Sequence, residues 1–261
     1  MNSVNKTLYI PLYGKALVSR KGLFLHDPKA EEIWTKEAFP LKGKSRSKWL
    51  AYYMGIRSAV FDQWAAQQMQ EHPDAVILHL GCGMDSRALR LGTESQPWFD
   101  VDFPDVITER KKYFTETAVY RMVPGDVKED TWLKQIPSSG CAIVIMEGIS
   151  MYLNDDEKMQ LLGRLCNHFD HLVLLMDCYT TLAARLSRYK NPINDVGVTN
   201  VFGTDDPRTL ETDSFVFVKE HDMTPSAFTH QLQGMERMIF QKLYAGKMAR
   251  KMYHLYEYKS V

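Results

Sequence analysis

The chain has 261 residues, enough for one large domain with its own core, and 45% hydrophobic against 25% charged residues is the balance of a folded globular protein. Lys+Arg and Asp+Glu both number 32, so the formal net charge is zero, which removes the global electrostatic case for nucleic acid or a membrane surface as partner. No apolar run has the length of a transmembrane helix, and the start, MNSVNKTLYIPLYGKAL, lacks a basic-then-apolar-then-cleavage layout, so a cytoplasmic protein is expected. Cys82, Cys141, Cys166 and Cys178 are widely spaced with no CxxC pair, which argues against a zinc site or a disulfide framework and for free thiols.

Residues 1–73 contain no strand run and are expected to be helical, with SRSKWLAYYMGIRSAVFDQWAAQQMQ as the clearest helix. No Pro/Gly/Ser linker separates them from the first strand run, so they are expected to cap a sheet rather than form a separate domain. From about residue 74 short β-type runs alternate with helical ones. The expected strands are AVILHLGC (75–82), PWFDVDF (97–103), AVYRMVP (118–124), CAIVIMEGI (141–149) and HLVLLMDCY (171–179). Near-continuous apolar runs of this kind suit strands covered on both faces of a parallel sheet. VITERKKYFTET (106–117) and NDDEKMQLLGRLCNHF (154–169) read as amphipathic helices, the second capped by Asn154 or Asp155.

Residues 179–212 form an insertion or lid after the fifth strand, helical at TTLAARLSRYK and then polar and loop-like. DSFVFVKEHD (213–222) and KMYHLYEYK (251–259) supply two more strands, with an amphipathic segment rich in Met, Gln and Arg between them. Seven strands fit one α/β domain, a doubly wound and mostly parallel sheet whose terminal strand returns antiparallel at its edge. Residues 74–178 would be its core and residues 213–261 its C-terminal strands and helix. Exposed Met and aromatic side chains in that last segment fit either a dimer surface or core.

In such sheets ligands bind beyond the carboxyl ends of the strands. The first strand ends in Gly81-Cys82-Gly83-Met84-Asp85-Ser86, a glycine turn into a helix. A dinucleotide fingerprint needs a third glycine where Ser86 stands, and a phosphate loop needs Lys followed by Ser or Thr. Neither is present. Acids recur instead at successive strand ends: Asp102, with Asp100 on the same face further back; Asp126 in Pro-Gly-Asp-Val; Glu147 after a strongly apolar run; and Asp177. A carboxylate at the end of the second strand, about twenty residues after the turn, is placed to grip ribose hydroxyls. A mononucleoside with a positive centre suits this set better than a pyrophosphate.

The stretches LVSRKGLFLHDP (17–28), YYMGIRSAVFD (52–62), LHLGCGMDSRALRL (78–91), WFDVDFPDVITERKKYF (98–114), GDV (125–127) and MEGISMYL (146–153) together resemble the leucine carboxyl methyltransferase and polyketide O-methyltransferase family. This is a branch of the class I S-adenosylmethionine-dependent methyltransferases. The resemblance implies a Rossmann-like fold, S-adenosyl-L-methionine as cofactor, and methyl transfer to a carboxylate or hydroxyl oxygen of a small molecule. It further implies that Arg57, assisted by Lys15, pairs with the carboxylate of the methionine part. Gly81 would admit the cofactor, Asp102 would hold the ribose, Asp126 and Val127 the adenine, and Glu147 would face the methionine amino group. Arg87 matches a position that points to the polyketide branch, or it is a structural partner of Asp85 or Asp105.

A carboxylate acceptor needs no base, whereas a hydroxyl does. No residue stands out as one, His79 lying in a strand pattern as a core histidine, so the catalytic assignment stays open and no metal is expected. The acceptor pocket is expected from the N-terminal helices, the Ser150–Tyr152 turn and residues 190–212, with Tyr152 and Arg185 or Arg188 orienting an acidic substrate. The alternatives are a nicotinamide-dependent oxidoreductase and a cofactor-binding protein without turnover.

Overall fold

The structure, a computed structural model, describes residues 7–92, 96–138, 140–187 and 201–261. Three helices come first: α1 (Tyr9–Arg20), α2 (Pro28–Glu37) and α3 (Lys48–Glu71). Asp27 starts α2 by accepting from Ala30 N at 2.8 Å, with Pro28 at the first helical position, where its missing N–H costs nothing. Ser47 caps α3, which runs for 24 residues and stops two residues before Pro73. α1 and α3 approach closely because glycine stands on each. A Cβ at Gly14 would sit 2.8 Å from Met54 Cβ, and one at Gly55 would sit 2.7 Å from Val18 Cγ2. That packing brings Lys15 and Arg57 toward the same side of the sheet.

The strands are β1 (Val76–Leu80), β2 (Trp98–Asp102), β3 (Tyr120–Pro124), β4 (Cys141–Met146), β5 (His171–Tyr179), β6 (Phe215–His221) and β7 (Tyr253–Ser260). They form one sheet in the order β3-β2-β1-β4-β5-β7-β6. β7 is antiparallel to both β5 and β6 and every other pairing is parallel. The mostly parallel seven-stranded sheet is therefore as expected. The returning strand is not at the edge, however: β7 inserts beside β5 and leaves β6 outermost. Tyr256 and Tyr258 of β7 are buried, and this apolar pattern makes it an interior strand, whereas β6 carries exposed Lys219 and Glu220.

The remaining helices are α4 (Arg87–Leu91), α5 (Pro104–Arg110), α6 (Asp155–His168), α7 (Thr181–Ser187), α8 (Ser226–Thr229), α9 (Gly234–Tyr244) and α10 (Lys247–Arg250). Asn154, not Asp155, caps α6. Its side chain accepts from Glu157 N while Glu157 accepts from Asn154 N, a reciprocal pair whose capping residue is typically worth about 1 kcal/mol. The helix expected over 106–117 starts earlier, at Pro104, and ends at Arg110. There the Arg110 side chain turns inward to Asp100 and Tyr120, and Phe114 is buried rather than continuing an outward helical face.

Two apolar clusters cover the two faces of the sheet. One joins the N-terminal helices to β1, β2, β4 and the C-terminal segment, and includes Leu12, Tyr52, Phe61, Ile77, Phe240 and Leu255. The other lies under α6 and includes Leu78, Trp132, Val144, Leu161 and Tyr258. In the C-terminal segment Phe240 belongs to the core, whereas Met235, Met238, Leu243 and Met248 are exposed. No helix of the described residues is long and apolar enough to cross a membrane.

Candidate active site

The order of the sheet reverses between β1 and β4, and a cavity opens at the carboxyl ends of the strands around that point. Its volume is about 650 Å³. One half is polar, lined by Lys15, Arg57, Gly81, Asp85, Asp102, Asp126, Val127 and Glu147. All seven residues expected to hold the cofactor therefore meet in one cavity.

The glycine turn forms the floor. Gly81 and Gly83 have φ of +67° and +50°, a region that L side chains rarely enter. A Cβ at Gly81 would stand 2.0 Å from Ile149 Cγ2, so the loop after β4 packs directly onto this residue. Gly83 N donates to Asp102 Oδ2 at 2.7 Å and Gly83 O accepts from Arg110 Nη1 at 3.0 Å, which pins the turn between β2 and α5. Asp102 Oδ1 accepts from Phe103 N at 2.8 Å. Burial pushes the Asp102 carboxyl up to about 6 despite these two N–H donors. No described cation lies in ion-pair contact with it. Each oxygen keeps a lone pair unused and the residue lines the cavity, a setting that fits hydroxyl donors such as the two of a ribose.

Asp100, two residues back, is fully buried and engaged by Arg110, Tyr120 Oη and Trp98 Nε1. It is the structural member of the pair. His79 is buried as well, with Nε2 3.2 Å from Arg87 Nη1 and Nδ1 in a poorly aligned 3.3 Å contact with Asp100. Burial lowers its pKa, so it stays a neutral core histidine although its edge reaches the cavity.

A buried charge network backs the Arg57 side of the cavity. Arg57 Nε donates to Glu147 Oε1 at 3.0 Å, and its Nη1 donates to Asp177 Oδ2 at 3.0 Å and to Tyr253 Oη at 2.8 Å. Its Nη2 has no hydrogen-bond partner among the described residues, leaving one edge of the guanidinium for a ligand carboxylate. Glu147 Oε2 accepts from Arg87, so this carboxylate lies between two guanidinium groups. Burial alone would raise its pKa; Arg57 and Arg87 hold it well below the usual range. Lys15 pairs with Asp85 at 2.9 Å, and Asp85 also accepts from Arg90 at 2.9 Å. Burial works against ionising Asp85 too, and Arg90, Lys15 and Arg87 overcome it.

Arg87 is fully buried, donates to Asp62 at 2.6 Å and lies 3.6 Å from Asp85; of its two expected partners Asp85 is the real one and Asp105 is not. Arg90 reaches Asp62, Asp85 and Asp27, and Ser86 donates to Asp27. Ser86, which occupies the place of a third glycine, thus ties the turn to the N-terminal cap. Asp62, Arg90 and Asp27 were not singled out by sequence. Their signal is the i,i+3 spacing of Arg87 and Arg90, which puts both on one helix face toward α3.

Asp126 lines the cavity, with Oδ1 accepting from Lys128 N at 3.0 Å, so it also braces its own turn. Val127 O accepts from Arg164 Nη2 at 2.8 Å. Asp177 does not line the cavity; it is buried behind Arg57 and Tyr253 and accepts from Gly148 N at 2.7 Å.

The other half of the cavity is apolar and aromatic. Leu8, Leu50, Tyr53 and Met54 come from the N-terminal helices and Met151 and Tyr152 from the turn after β4, as expected. The rest differs from expectation. Ser150 points away, donating to Asp177 O, and Arg185 is exposed outside the lining. Arg188 and residues 190–200 lie outside the described residues, and residues 201–212 do not contribute. α7 (Ala183, Leu186) and the C-terminal segment (Leu243, Tyr244, Met252, Tyr253) form the wall instead. Among the described residues no group of His, Cys, Asp and Glu could hold a metal ion. None of the four cysteines is in a disulfide, and Cys82 and Cys178 are buried.

A doubly wound sheet with a two-glycine turn, acids at successive strand ends and a cavity at the reversal point defines a nucleoside-binding enzyme of the Rossmann-like class. The pattern of the leucine carboxyl methyltransferase family matches residues 3–166, and the chain belongs to that family. It is 30% identical over 243 residues to the tetracenomycin polyketide synthesis O-methyltransferase TcmP of Streptomyces glaucescens, covering 92% of this chain and 90% of that one. It is 35% identical over 184 residues to the S-adenosyl-L-methionine-dependent methyltransferase dpfgK of Gibberella zeae, covering 65% of this chain and 62% of that one. The fold is also similar to that of magnesium protoporphyrin IX methyltransferase from Synechocystis PCC 6803 solved with bound SAH. That likeness has a TM-score of 0.52 at 10% identity and covers 95% of this chain and 100% of that one. The chain is an S-adenosylmethionine-dependent O-methyltransferase.

Proposed function

We propose that this enzyme methylates an oxygen of a small, largely apolar acceptor of the polyketide kind, with the cofactor in the polar half of the cavity and the acceptor in the aromatic half. The observation that carries the reading is the continuity of the two halves within one cavity of about 650 Å³, a volume in the range of small-molecule sites. The name of the TcmP relative supports the acceptor class.

In this reading Asp102 takes the ribose hydroxyls, Asp126 and Val127 the adenine edge, Arg57 Nη2 the methionine carboxylate and Glu147 the amino group, while Lys15 offsets the acids beside them. Gly81 keeps the floor open. When bound, S-adenosylmethionine supplies a methyl group on a sulfonium leaving group, so the chain's work is positioning and exclusion of water. The apolar wall provides the exclusion, and the Arg57–Glu147–Arg87 network is set before binding, which spares reorganisation.

Calorimetry with S-adenosylmethionine and with NAD tests the division of the cavity. Binding of the first and not the second is expected, and an Asp102→Ala chain should lose about 2–3 kcal/mol, the worth of hydrogen bonds to a charged acceptor. Unchanged affinity would remove Asp102 from the ribose role.

A further inference from the structure

The acceptor half of the cavity contains an arrangement that bears on which oxygen is methylated, an inference that rests on the acceptor reading above. Tyr253 comes from β7 and lines the cavity, 7% exposed, at the junction between the polar and aromatic halves. Its ring packs edge-on against Tyr179 at 4.8 Å and beside Tyr53 at 6.1 Å. Its hydroxyl donates to Asp177 Oδ2 and accepts from Arg57 Nη1 at 2.8 Å, which leaves one oxygen lone pair unused on a residue that lines the cavity. Asp177 is fully buried and meets the cavity through this hydroxyl.

Asp102 and Asp126 line the cofactor half and are taken up by the ribose and adenine in the reading above, and the remaining groups that reach the cavity are poor proton acceptors. Glu147 and Asp85 are held ionised by guanidinium and ammonium partners, and both His79 nitrogens face buried partners. Lys128 is paired with Glu157 at 2.8 Å. Lys15 and Arg57 are likewise ion-paired, so each of these cavity-lining cations already has a carboxylate. With the open edge of Arg57 taken by the cofactor carboxylate, such a lining offers an acceptor carboxylate little electrostatic gain, while it offers an acceptor hydroxyl a route for its proton.

We propose that Tyr253, backed by Asp177, is the proton acceptor for a hydroxyl-bearing aromatic acceptor. The acceptor hydroxyl donates to Tyr253 Oη. As the acceptor oxygen bonds to the methyl carbon and the carbon–sulfur bond breaks toward sulfur, the acceptor proton passes to Tyr253 Oη. The original Tyr253 proton moves to Asp177 Oδ2, and Arg57 beside both oxygens stabilises the charge as it shifts. Asp177 must start ionised. Burial raises its pKa, while Arg57 from α3, Tyr253 from β7 and the Gly148 N–H favour the carboxylate and Glu147 opposes it. Tyr53 Oη has no partner among the described residues and lines the same wall, and it orients the acceptor ring.

The test uses the full chain saturated with S-adenosylmethionine. The acceptors are hydroxynaphthalenes of graded acidity, a nitro-substituted hydroxynaphthalene already ionised at pH 8, and 2-naphthoic acid. Tyr253→Phe keeps the ring and removes the hydroxyl, and cofactor affinity by calorimetry reports whether the fold and the Arg57 side survive. A loss of about 10²–10⁴-fold in kcat is expected for the least acidic hydroxynaphthalene. The loss should shrink with acceptor acidity and nearly vanish for the ionised one, and the acid limb of the wild-type pH profile should be replaced by a rate that climbs with pH. A uniform loss for all acceptors, as a purely structural role would give, overturns the proposal. So does a wild-type chain that methylates 2-naphthoic acid and none of the hydroxynaphthalenes, an outcome that leaves the methyltransferase reading standing. A chain that binds the cofactor and methylates neither class sinks that reading and this inference together.

Discussion

Asp102 carries a strand-end charge without an ion-pair partner, and the consequence is a titration inside the accessible pH range. Its free-state carboxyl is pushed up to about 6 by burial, so below that pH it holds a proton and loses acceptor capacity for ribose hydroxyls. Ligand binding that requires the ionised form must then weaken as pH falls, by about tenfold per pH unit below 6, and level off above it. Calorimetric titrations from pH 5 to 8 should show this bend. Asp102→Asn should bind more weakly throughout and lack it; a bend that persists in the variant assigns the proton to another group. Arg87 shows the opposite situation, a fully buried cation whose loss takes one guanidinium from Glu147, Asp62 and Asp85 and leaves Arg57, Arg90 and Lys15 to balance three buried carboxylates. Arg87→Ala should cost about 3–5 kcal/mol. For a chain of this size that lowers the thermal midpoint by roughly 10 °C. A midpoint within about 2 °C of wild type would contradict the account of the network. Asp102 was legible because its place after a glycine turn is a sequence-level signal. Arg87 was legible in part, through its pairing with Asp85, whereas Arg90 and Asp62 were not, because the i,i+3 spacing puts both arginines on one helix face without saying which carboxylate of α3 receives them. Tyr253 is a similar case: alone on a C-terminal strand, it gains meaning only from Asp177 and Arg57, 76 and 196 residues away.

At the scale of elements, the turn after β1 does two jobs. In the proposed reading it admits the cofactor, and it accepts the packing of Ile149 from the loop after β4, so its glycine would be needed even without a ligand. Gly81→Ala should therefore destabilise the free protein through both the +67° φ and the Ile149 contact. Adding Ile149→Ala should restore only the contact part, seen as partial recovery of the thermal midpoint; a single variant as stable as wild type would show that the loop yields. Strand positions were readable from apolar runs to within two or three residues, because strands covered on both faces leave a dense signal. The helix after β2 was misplaced by the same logic. VITERKKYF is amphipathic beyond Arg110, but the pull of Asp100 on Arg110 and the burial of Phe114 end it a turn early.

For the molecule as a whole, the cavity depends on parts distant in sequence. α1 and α3 roof it, the carboxyl ends of β1, β2, β3 and β4 supply its acids, and α7, α9 and β7 complete the aromatic wall. The core cluster on that face runs from Tyr9 to Leu255, so roof, sheet and wall share apolar packing. The acids of the polar half follow the strand ends and could be inferred from order alone, whereas Lys15 and Arg57 came only with the family resemblance. The acceptor half could not, because β7 enters between β5 and β6 and brings the C-terminal segment against α3, a long-range pairing without local signature. The central claim is the division of one cavity into a cofactor half and an acceptor half, and a crystal structure of the complex with S-adenosylhomocysteine tests it most directly. The ribose hydroxyls should lie on Asp102 and the ligand carboxylate on Arg57 Nη2, with the thioether sulfur opening toward Tyr253 and the aromatic wall. A ligand seated on the aromatic side, or one whose ribose does not touch Asp102, would contradict the account.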